Sequence, residues 1–528
     1  MTATLPVEIE LKLALPPQQA AAFLKRMARR RSMPVQQDLV TRYFDTPDFS
    51  LGVQGVALRV RRVGRRWIQT LKTEGERQGG LSRRVEFEMP VSHGTPDWGR
   101  FPAEAQGFVA EALRAQLLPV FETRFHRTAW LLKGKGGAQI EVALDIGEVR
   151  TLKGTCAPNG GINAGERSQP LCEIELELKA GQPDALFALA LEWAGAFDCL
   201  PFDVSKAERG VRLAKGMDAE PVKSVSLTLE AGMNVETGFA AICQACLAQF
   251  QANLPGVLAS EDIEYVHQAR VSIRRLRAAL RLFRRVCALP EELMDGLRAL
   301  MAALGPARDW DVLCTETLPA IAPCYTDQTA WARGAEVLEA QRARVRAAMR
   351  SALAQAHPGA WLLAMQRWLL QHGWALDPAG GTVPEAQRFA QLSPLDKWAS
   401  RALGKGHRPI VRGARGFAAL QPLERHALRI AIKRQRYAAE FFQGVFGGFS
   451  KGHQRRQMSY LAVLRDAQDS LGRSNDAHIA QGLLTAVGAE AGPMRDFAIG
   501  WLAAQQAGAG SGESAGHLQD FLELKPYW

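Results

Sequence analysis

The stretch Val7–Leu15, VEIELKLAL, decides how the first part of the chain reads. Apolar residues alternate there with Glu8, Glu10 and Lys12, the period-two pattern of a half-buried strand. Successive strand side chains point to opposite faces, so the two carboxylates and the ammonium project together. A later stretch, CEIELELK, repeats the pattern with Glu173, Glu175 and Glu177 on one face. Four runs between them behave alike: LRVRR with Arg59 and Arg61, TLK with Thr70 and Lys72, RRVEFE with Arg84, Glu86 and Glu88, and IEVALDIGEV with Glu141 and Asp145. The opposite faces carry Ile9, Leu11, Leu58, Val60, Val85, Phe87, Val142, Leu144, Ile174 and Leu176.

Any one of these strands reads as part of an antiparallel sheet with its charged face in water. Taken together they read differently. Exposed strand faces mix Thr, Ser, Gln and Lys, whereas here the ionised residues sort into carboxylate sets and Arg/Lys sets. If the sheet closes on itself, those faces line a tunnel. Carboxylates suit hard cations such as Mg²⁺ or Mn²⁺, and Arg and Lys suit a chain of phosphates. Charges of both signs tolerate burial only when paired or coordinated, and a metal triphosphate supplies both partners.

At 528 residues the chain is too long for one core, and its composition is that of a globular protein. The net charge is +11, which favours a polyanionic partner without naming it. The excess is modest on both sides of Val225: 31 Lys and Arg against 27 Asp and Glu up to it, 34 against 27 after it. The eight cysteines show no zinc spacing, and Cys243 and Cys246 read as small core residues of a helix. No signal peptide and no membrane span are expected, so a reducing cytoplasm is the expected compartment.

Mixed strands and helices extend to about residue 215, with loop chemistry in CAPNGGINAGERSQP, residues 156–170. A linker is expected over 216–225. From Ser226 onward strands nearly vanish and helical spacing takes over. Within this part YVHQARVSIRRLRAALRLF resembles ERHALRIAIKRQRYAAEFF, matching His267, Arg270, Arg274 and Arg277 to His426, Arg429, Lys433 and Arg436. LGPARDWDV likewise resembles LGRSNDAHI, pairing Leu304, Gly305 and Asp309 with Leu471, Gly472 and Asp476. Two related bundles in tandem follow, at about 230–370 and 390–505. Each basic set spans i, i+3, i+7 and i+10, an arc of about 80° on a helix. A solvated basic face is the plain reading of one such stripe. Its recurrence at matched positions, with the compensating i+4 glutamates expected to be missing, favours a groove for a long phosphate polymer. Histidine would add charge below about pH 6.5 there, and binding would weaken with salt. Residues 509–528 read as a flexible tail.

The first 215 residues resemble the CYTH domain, the triphosphate tunnel metalloenzymes. Glu8-x-Glu10-x-Lys12 carries the resemblance, followed in order by YFDTPD (Tyr43 to Asp48), LRVR, TLK, RRVEFE, RFHRTAW with Arg127, IEVALDIGEV, CEIELELK and SKAERG with Lys206. The resemblance implies an α+β protein that begins with a closed antiparallel barrel of about eight strands and flanking helices, ahead of an all-α region. It implies metal binding by Glu8, Glu10, Glu175 and Glu177, with Asp145 in the candidate set and Glu173 as the alternative to Glu177. It implies a phosphate cradle of Lys12, Arg59, Arg61, Lys72, Arg84, Arg127 and Lys206, and catalytic roles for Glu8, Glu10, Lys12, Lys72 and Glu86. The activity implied is hydrolysis of inorganic triphosphate to diphosphate and phosphate with Mg²⁺ or Mn²⁺. A class IV type adenylate cyclase, a thiamine or nucleoside triphosphatase, and a non-catalytic polyphosphate-binding protein are the alternatives.

Residues 226–508 resemble the CHAD domain, the conserved-histidine α-helical domain that often follows a CYTH domain. The two H-x-x-R-[VI]-x-x-[RK]-R-x-R runs and the two L-G-x-x-x-D turns carry this resemblance. It implies inorganic polyphosphate as the ligand of His267, Arg270, Arg274, Arg277, His426, Arg429, Lys433 and Arg436, and association with polyphosphate granules. Metal binding at these histidines is not expected, since no carboxylate or Cys accompanies them at ligand spacing. Nucleic acid is not expected either, because aromatics are not interleaved with the basic residues.

Overall fold

The computed structural model describes residues 5–30, 32–152, 166–230, 232–376, 381–446, 450–508 and 511–528. Most of the loop expected at 156–170 therefore lies outside the described residues. The chain forms two compact units. One comprises Met1–Glu220 with His357–Gln371, the other Pro221–Ala356 with His372–Trp528.

Among the described residues the first unit is built on ten strands: β1 (Val7–Ala14), β2 (Val35–Asp45), β3 (Val56–Val63), β4 (Arg66–Thr73), β5 (Glu76–Gln78), β6 (Leu81–Val91), β7 (Leu118–Lys133), β8 (Gln139–Thr151), β9 (Ser168–Ala180) and β10 (Leu200–Pro201). Their order is β10-β1-β9-β8-β7-β2-β3-β4-β6-β5. A further pairing of β1 with β6 closes eight of them into a barrel, and every pairing is antiparallel. Closure removes the free edges and divides each strand into an outer and an inner face.

The alternation in the sequence decides which face is which. Leu11, Val142, Leu144, Ile174 and Leu176 point outward and are buried with Phe23, Trp193 and Phe197 from the helices Ala20–Ala28 and Asp184–Phe197. Leu58, Val60, Leu71 and Phe87 are covered by Phe101, Ala105 and Val109. Burying apolar area on the outside leaves the charged residues facing the lumen.

One end of the lumen is filled by the helix Lys206–Lys215. Ser205 and Glu208 form a capping box at its start, and Gly216, at φ +65°, ends it in the left-handed region. Its apolar side, Ala207, Val211 and Ala214, meets Tyr43, Phe49, Phe121 and Phe125 inside the barrel. Gly210 permits this approach, because a Cβ there would lie 2.0 Å from the Phe121 ring. The chain leading into the helix is also fixed. β10 pairs with β1 at Leu13 and Ala14, Phe202 N donates to Lys12 O, and Asp203 accepts from Gly80 N at 2.6 Å.

The segment His357–Gln371 departs from the expected boundaries, which gave it to the first helical repeat. Its helix, Pro358–Leu370, packs on Asp184–Phe197 and β10 instead. Leu363 joins the apolar cluster of the barrel's outer face. Arg367 makes a two-pronged contact with Asp184 at 2.6 and 2.8 Å, and Gln366 accepts from Gln78 at 2.9 Å.

In the second unit the helices Val235–Ala259, Ile263–Phe283, Glu291–Val312 and Gln328–Gln355 make one bundle. Leu395–Arg415, Pro422–Phe441, Lys451–Val487 and Pro493–Gly508 make its counterpart. The halves share a core, in which Trp310, Trp331 and Leu338 pack with Leu484, Met494 and Leu502. Cys243 and Cys246 are buried in the first helix. The expected flexible tail is corrected. Ser511–Glu523 is helical, and Leu518, Phe521 and Tyr527 are buried, because Tyr460, His407 and Phe446 offer them an aromatic pocket. No described helix is long and apolar enough to cross a membrane.

A side chain at position 210 should drive the plugging helix off Phe121. Gly210→Val should lower stability by about 1–3 kcal/mol, read as a lower urea midpoint. An unchanged midpoint would contradict the close packing described.

Candidate active site

Strand register sets the lumen's charge pattern. Asp145 lies opposite Glu173 across β8 and β9, Arg127 opposite Asp145 across β7 and β8, and Lys12 opposite Glu175 across β1 and β9. These groups meet Lys206, the first residue of the plugging helix. Its Nζ lies 2.7 Å from Asp145, 2.6 Å from Glu173 and 2.8 Å from Glu175. Arg127 adds a two-pronged pair with Asp145, 2.7 Å in each arm, and a 2.5 Å contact with Glu175. Asp145 is 0% and Glu173 1% exposed, so each carboxylate needs its cation. Burial alone would push Glu175 up, but Lys206, Arg127 and Lys12 hold it well below the usual carboxylate range. Asp145 is likewise held low by Lys206 and Arg127 against its burial. Burial also opposes the charge on Lys206, yet the three carboxylates raise its pKa.

A second network lies along β1, β4 and β6. Glu8 accepts from Lys72 at 2.7 Å and from Arg84 at 3.0 Å, and Glu10 accepts from Arg84 at 2.7 Å. Lys72 reaches Glu86 at 3.1 Å, and Arg59 reaches it at 3.6 Å. Arg61 stands apart. Its Nε donates to Thr41 at 3.1 Å, and among the described residues no carboxylate lies within 4 Å. Burial, Arg59 and Arg127 push its pKa down to about 9. The Arg59 Nε is buried without a hydrogen-bond partner. Positive charge here exceeds what the protein's own carboxylates satisfy.

Negative charge gathers across the neighbouring strands β1, β9 and β8. Glu177 lies opposite Glu10 on one side and Glu141 on the other. Burial raises its pKa, Glu8 and Glu141 raise it further, and Lys179, at 2.7 Å, opposes them. The lumen between these regions is a cavity of about 1000 Å³ that reaches both Arg61 and Glu177.

Two groups of carboxylates could hold a cation. Oxygens of Asp145, Glu173 and Glu175 lie within 4.8 Å of one another, but the Lys206 ammonium already sits on all three. Glu8, Glu10, Glu141 and Glu177 offer oxygen donors alone, the chemistry of Mg²⁺ or Mn²⁺, and Glu177 lies opposite Glu10 and Glu141, while Glu8 and Glu10 also accept from Lys72 and Arg84.

In the helical unit the helices Ile263–Phe283 and Pro422–Phe441 meet. Arg270 lies 3.6 Å from Asp309, and Arg429 donates to Asn475 at 3.1 Å. Burial, and then the charges of Arg274, Arg429, Arg270 and Arg436, push the pKa of Lys433 down to about 8.

Residues 7–211 match the family model of the CYTH domain, and residues 241–485 match that of the CHAD domain. The chain carries a CYTH domain followed by a CHAD domain. An inorganic triphosphatase of Haemophilus influenzae is 34% identical over 219 residues, 39% of this chain and 54% of that protein. The chain thus matches about half the length of this curated relative. The CHAD domain of the plant Ricinus communis is 30% identical, with a TM-score of 0.48, over 58% of this chain and 98% of its own. A candidate adenylyl cyclase from Hippeastrum, described as having a dominant triphosphatase activity, is 18% identical over 40% of this chain and 96% of its own, with a TM-score of 0.27.

In the CYTH domain every residue expected at the site points into the lumen or, for Lys206, in from its end. They divide more sharply than their order in the sequence shows. Lys206 holds carboxylates, and Glu173 is held at the plugged end by Lys206 and by Arg209 at 3.4 Å. Thr41, Tyr43 and Arg209 were not among the expected site residues, and Glu141 was placed on the charged strand face without a role. Strand parity could have found Thr41 and Tyr43 as well. Asp45, in the YFDTPD run, accepts from the backbone N–H groups of Thr46, Leu51 and Gly52 and holds a turn.

In the CHAD domain the two stripes are not equivalent. His267 is half-buried and its pKa is lowered by burial and by Arg308, whereas His426 is exposed. The expected lack of i+4 glutamates is corrected at one place: Glu440 pairs with Arg436 and, at 3.2 Å, with Arg275.

Removing the plugging ammonium should be costly. Lys206→Met leaves three buried carboxylates short of a partner and should lower stability by about 3–5 kcal/mol at pH 7. Asp145 and Glu175 have depressed pKa values, so the stability they contribute is present above the unfolded carboxylate range and is lost as pH falls through their folded values. The gap between variant and parent should therefore narrow toward pH 4 in urea titrations. A gap that widens on acidification would contradict the assignment.

Proposed function

We propose that the CYTH tunnel hydrolyses inorganic triphosphate with a bound divalent cation, and that the CHAD domain binds inorganic polyphosphate. The observation that carries the first part is the split of charge inside one lumen. Among the described residues Arg61 has no carboxylate within 4 Å, and Glu177 lies opposite both Glu10 and Glu141 in the sheet. A short, highly charged anion with a metal ion supplies a partner for both. The triphosphatase from Haemophilus influenzae, 34% identical over the aligned part, supports this reading.

In this reading Arg59, Arg61 and Arg127 receive phosphoryl oxygens, and Lys72 and Arg84 hold the chain beside Glu8 and Glu10. Glu86 orients Lys72 and Arg59, which it already contacts. Lys12 lies 3.5–3.8 Å from Glu10, Glu173 and Glu175 and offsets their charge. Mg²⁺ or Mn²⁺ held by Glu8, Glu10 and Glu177 would offset charge on the phosphoryl oxygens and lower the pKa of a bound water. Water oxygen bonds to the terminal phosphorus as the bridging P–O bond breaks. Diphosphate leaves, and a carboxylate of the same set accepts the proton.

The CHAD part rests on the basic residues of the two facing helices. Its binding should weaken steeply with salt as counterions are released.

Phosphate release from triphosphate, with Mg²⁺ or Mn²⁺ and with EDTA, tests the reading. Release is expected with metal only, and Glu10→Gln should reduce it by about 10²-fold or more. Full activity of that variant, or no release from the parent, would overturn the proposal.

A further inference from the structure

Phe125 stands inside the barrel, two residues before Arg127 on β7, and three cations of the tunnel approach its ring. Lys206 Nζ lies 5.0 Å from the ring centroid, and the guanidinium carbons of Arg127 and Arg61 lie 5.7 and 5.9 Å from it. The residue is buried in the cluster of Leu39, Tyr43, Phe121 and Ala214. In the sheet it lies opposite Leu39 on β2 and Gly147 on β8. A Cβ at Gly147 would come within 2.0 Å of Arg124 O, so that neighbour carries no side chain that could take the ring's place. Apolar packing accounts for an aromatic residue here, but not for three cations gathered around it.

The three cations differ in what else they hold. Lys206 and Arg127 both donate to Asp145 and to Glu175, and for them the ring is an addition. Arg61 has the ring and the Thr41 hydroxyl, which accepts from its Nε at 3.1 Å. Among the described residues its Nη groups make no hydrogen bond, and no carboxylate lies within 4 Å. A ring attracts a guanidinium through the negative potential of its face, yet it has no lone pair for the N–H groups. A carboxylate in the same place would take those donors in a two-pronged, charge-assisted pair and compete with an incoming phosphate. An aromatic partner therefore holds the charge and leaves the Nη donors open.

We propose that Phe125 is a positioning residue for phosphate binding: with Thr41 it holds the Arg61 guanidinium in the lumen, so that the open Nη groups meet a phosphoryl group of the substrate. The inference rests on the reading of the tunnel as a triphosphate site. It adds a residue that acts through Arg61 rather than on the substrate. With the ring's attraction weakened, Arg61 is pushed by Arg59 and Arg127 and drawn toward Asp145, whose charge attracts it. Part of the binding energy then goes to bringing the guanidinium back. Affinity falls, while the chemical step, carried by other groups, changes little.

The test replaces Phe125 in the full-length protein by phenylalanines carrying one, two or three ring fluorines. Fluorine weakens the negative face at nearly constant shape, so every member of the series packs as the parent does. KM and kcat for triphosphate hydrolysis with Mg²⁺ are read along the series, together with triphosphate affinity in EDTA by calorimetry. KM and Kd should rise stepwise, about three- to tenfold by the third fluorine, with kcat constant within about twofold. In an Arg61→Gln background the series should be flat. A ring that only fills space gives no dependence on fluorine number. Equal KM and Kd along the series overturn the proposal and leave the triphosphate reading standing. A slope that persists without Arg61 assigns the ring to Lys206 or Arg127 and overturns it too. Graded affinity in EDTA without hydrolysis overturns the hydrolase reading alone and supports the role of Phe125. A parent that neither binds nor hydrolyses triphosphate overturns both.

Discussion

One ammonium group organises the tunnel. Lys206 enters from the end of the barrel and meets Asp145, Glu173 and Glu175 at 2.6–2.8 Å. Three carboxylates brought together by strand register repel one another, and this ammonium is the cation that touches all three. The position of that ammonium depends on the capping box at Ser205 and Glu208, on Gly210 against Phe121, and on β10 and Asp203 just upstream. The helix Pro358–Leu370 presses on β10 from outside, although it lies more than 130 residues further along the chain. Much of the first unit therefore serves to hold one cation in place.

With Lys206 so placed, the remaining charges fall into two zones. The deep carboxylates are satisfied internally. Arg59 keeps an unpaired Nε, Arg61 has no carboxylate within 4 Å among the described residues, and burial with Glu8 and Glu141 raises the pKa of Glu177 against Lys179. A lumen of this kind is not neutralised zone by zone, which distinguishes it from a structural ion-pair network. The CHAD cluster follows another rule. Its cations are gathered from two repeats, and its carboxylates bind selected arginines while Lys433 is left among positive neighbours.

The alternation around VEIELKLAL specified which residues face the lumen, because a strand has only two faces and the apolar one must be buried. That the sheet closes is not written in any single strand. It rests on the β1–β6 pairing, which local pattern cannot reveal, and it entered through family resemblance. Lys206 was legible as a cation of the site but not as the partner of Asp145, Glu173 and Glu175, since that depends on where a helix docks. The assignment of His357–Gln371 to the barrel unit was hidden for the same reason. An amphipathic helix shows that it packs, not on what. The C-terminal residues read as a flexible tail because Gly and Ser dominate their start, while Leu518, Phe521 and Tyr527 carry the docking. In the CHAD repeats, matched letters concealed unequal surroundings for His267 and His426.

The division of the tunnel into a filled carboxylate site and an open one is tested most directly by locating the metal. A crystal soaked with Mn²⁺ and a slowly hydrolysed triphosphate analogue would show it by anomalous scattering. The account predicts Mn²⁺ at the carboxylates of Glu8, Glu10 and Glu177, phosphorus beside Arg59 and Arg61, and Lys206 still seated on Asp145, Glu173 and Glu175. Mn²⁺ inside that triangle, with Lys206 displaced, would contradict it.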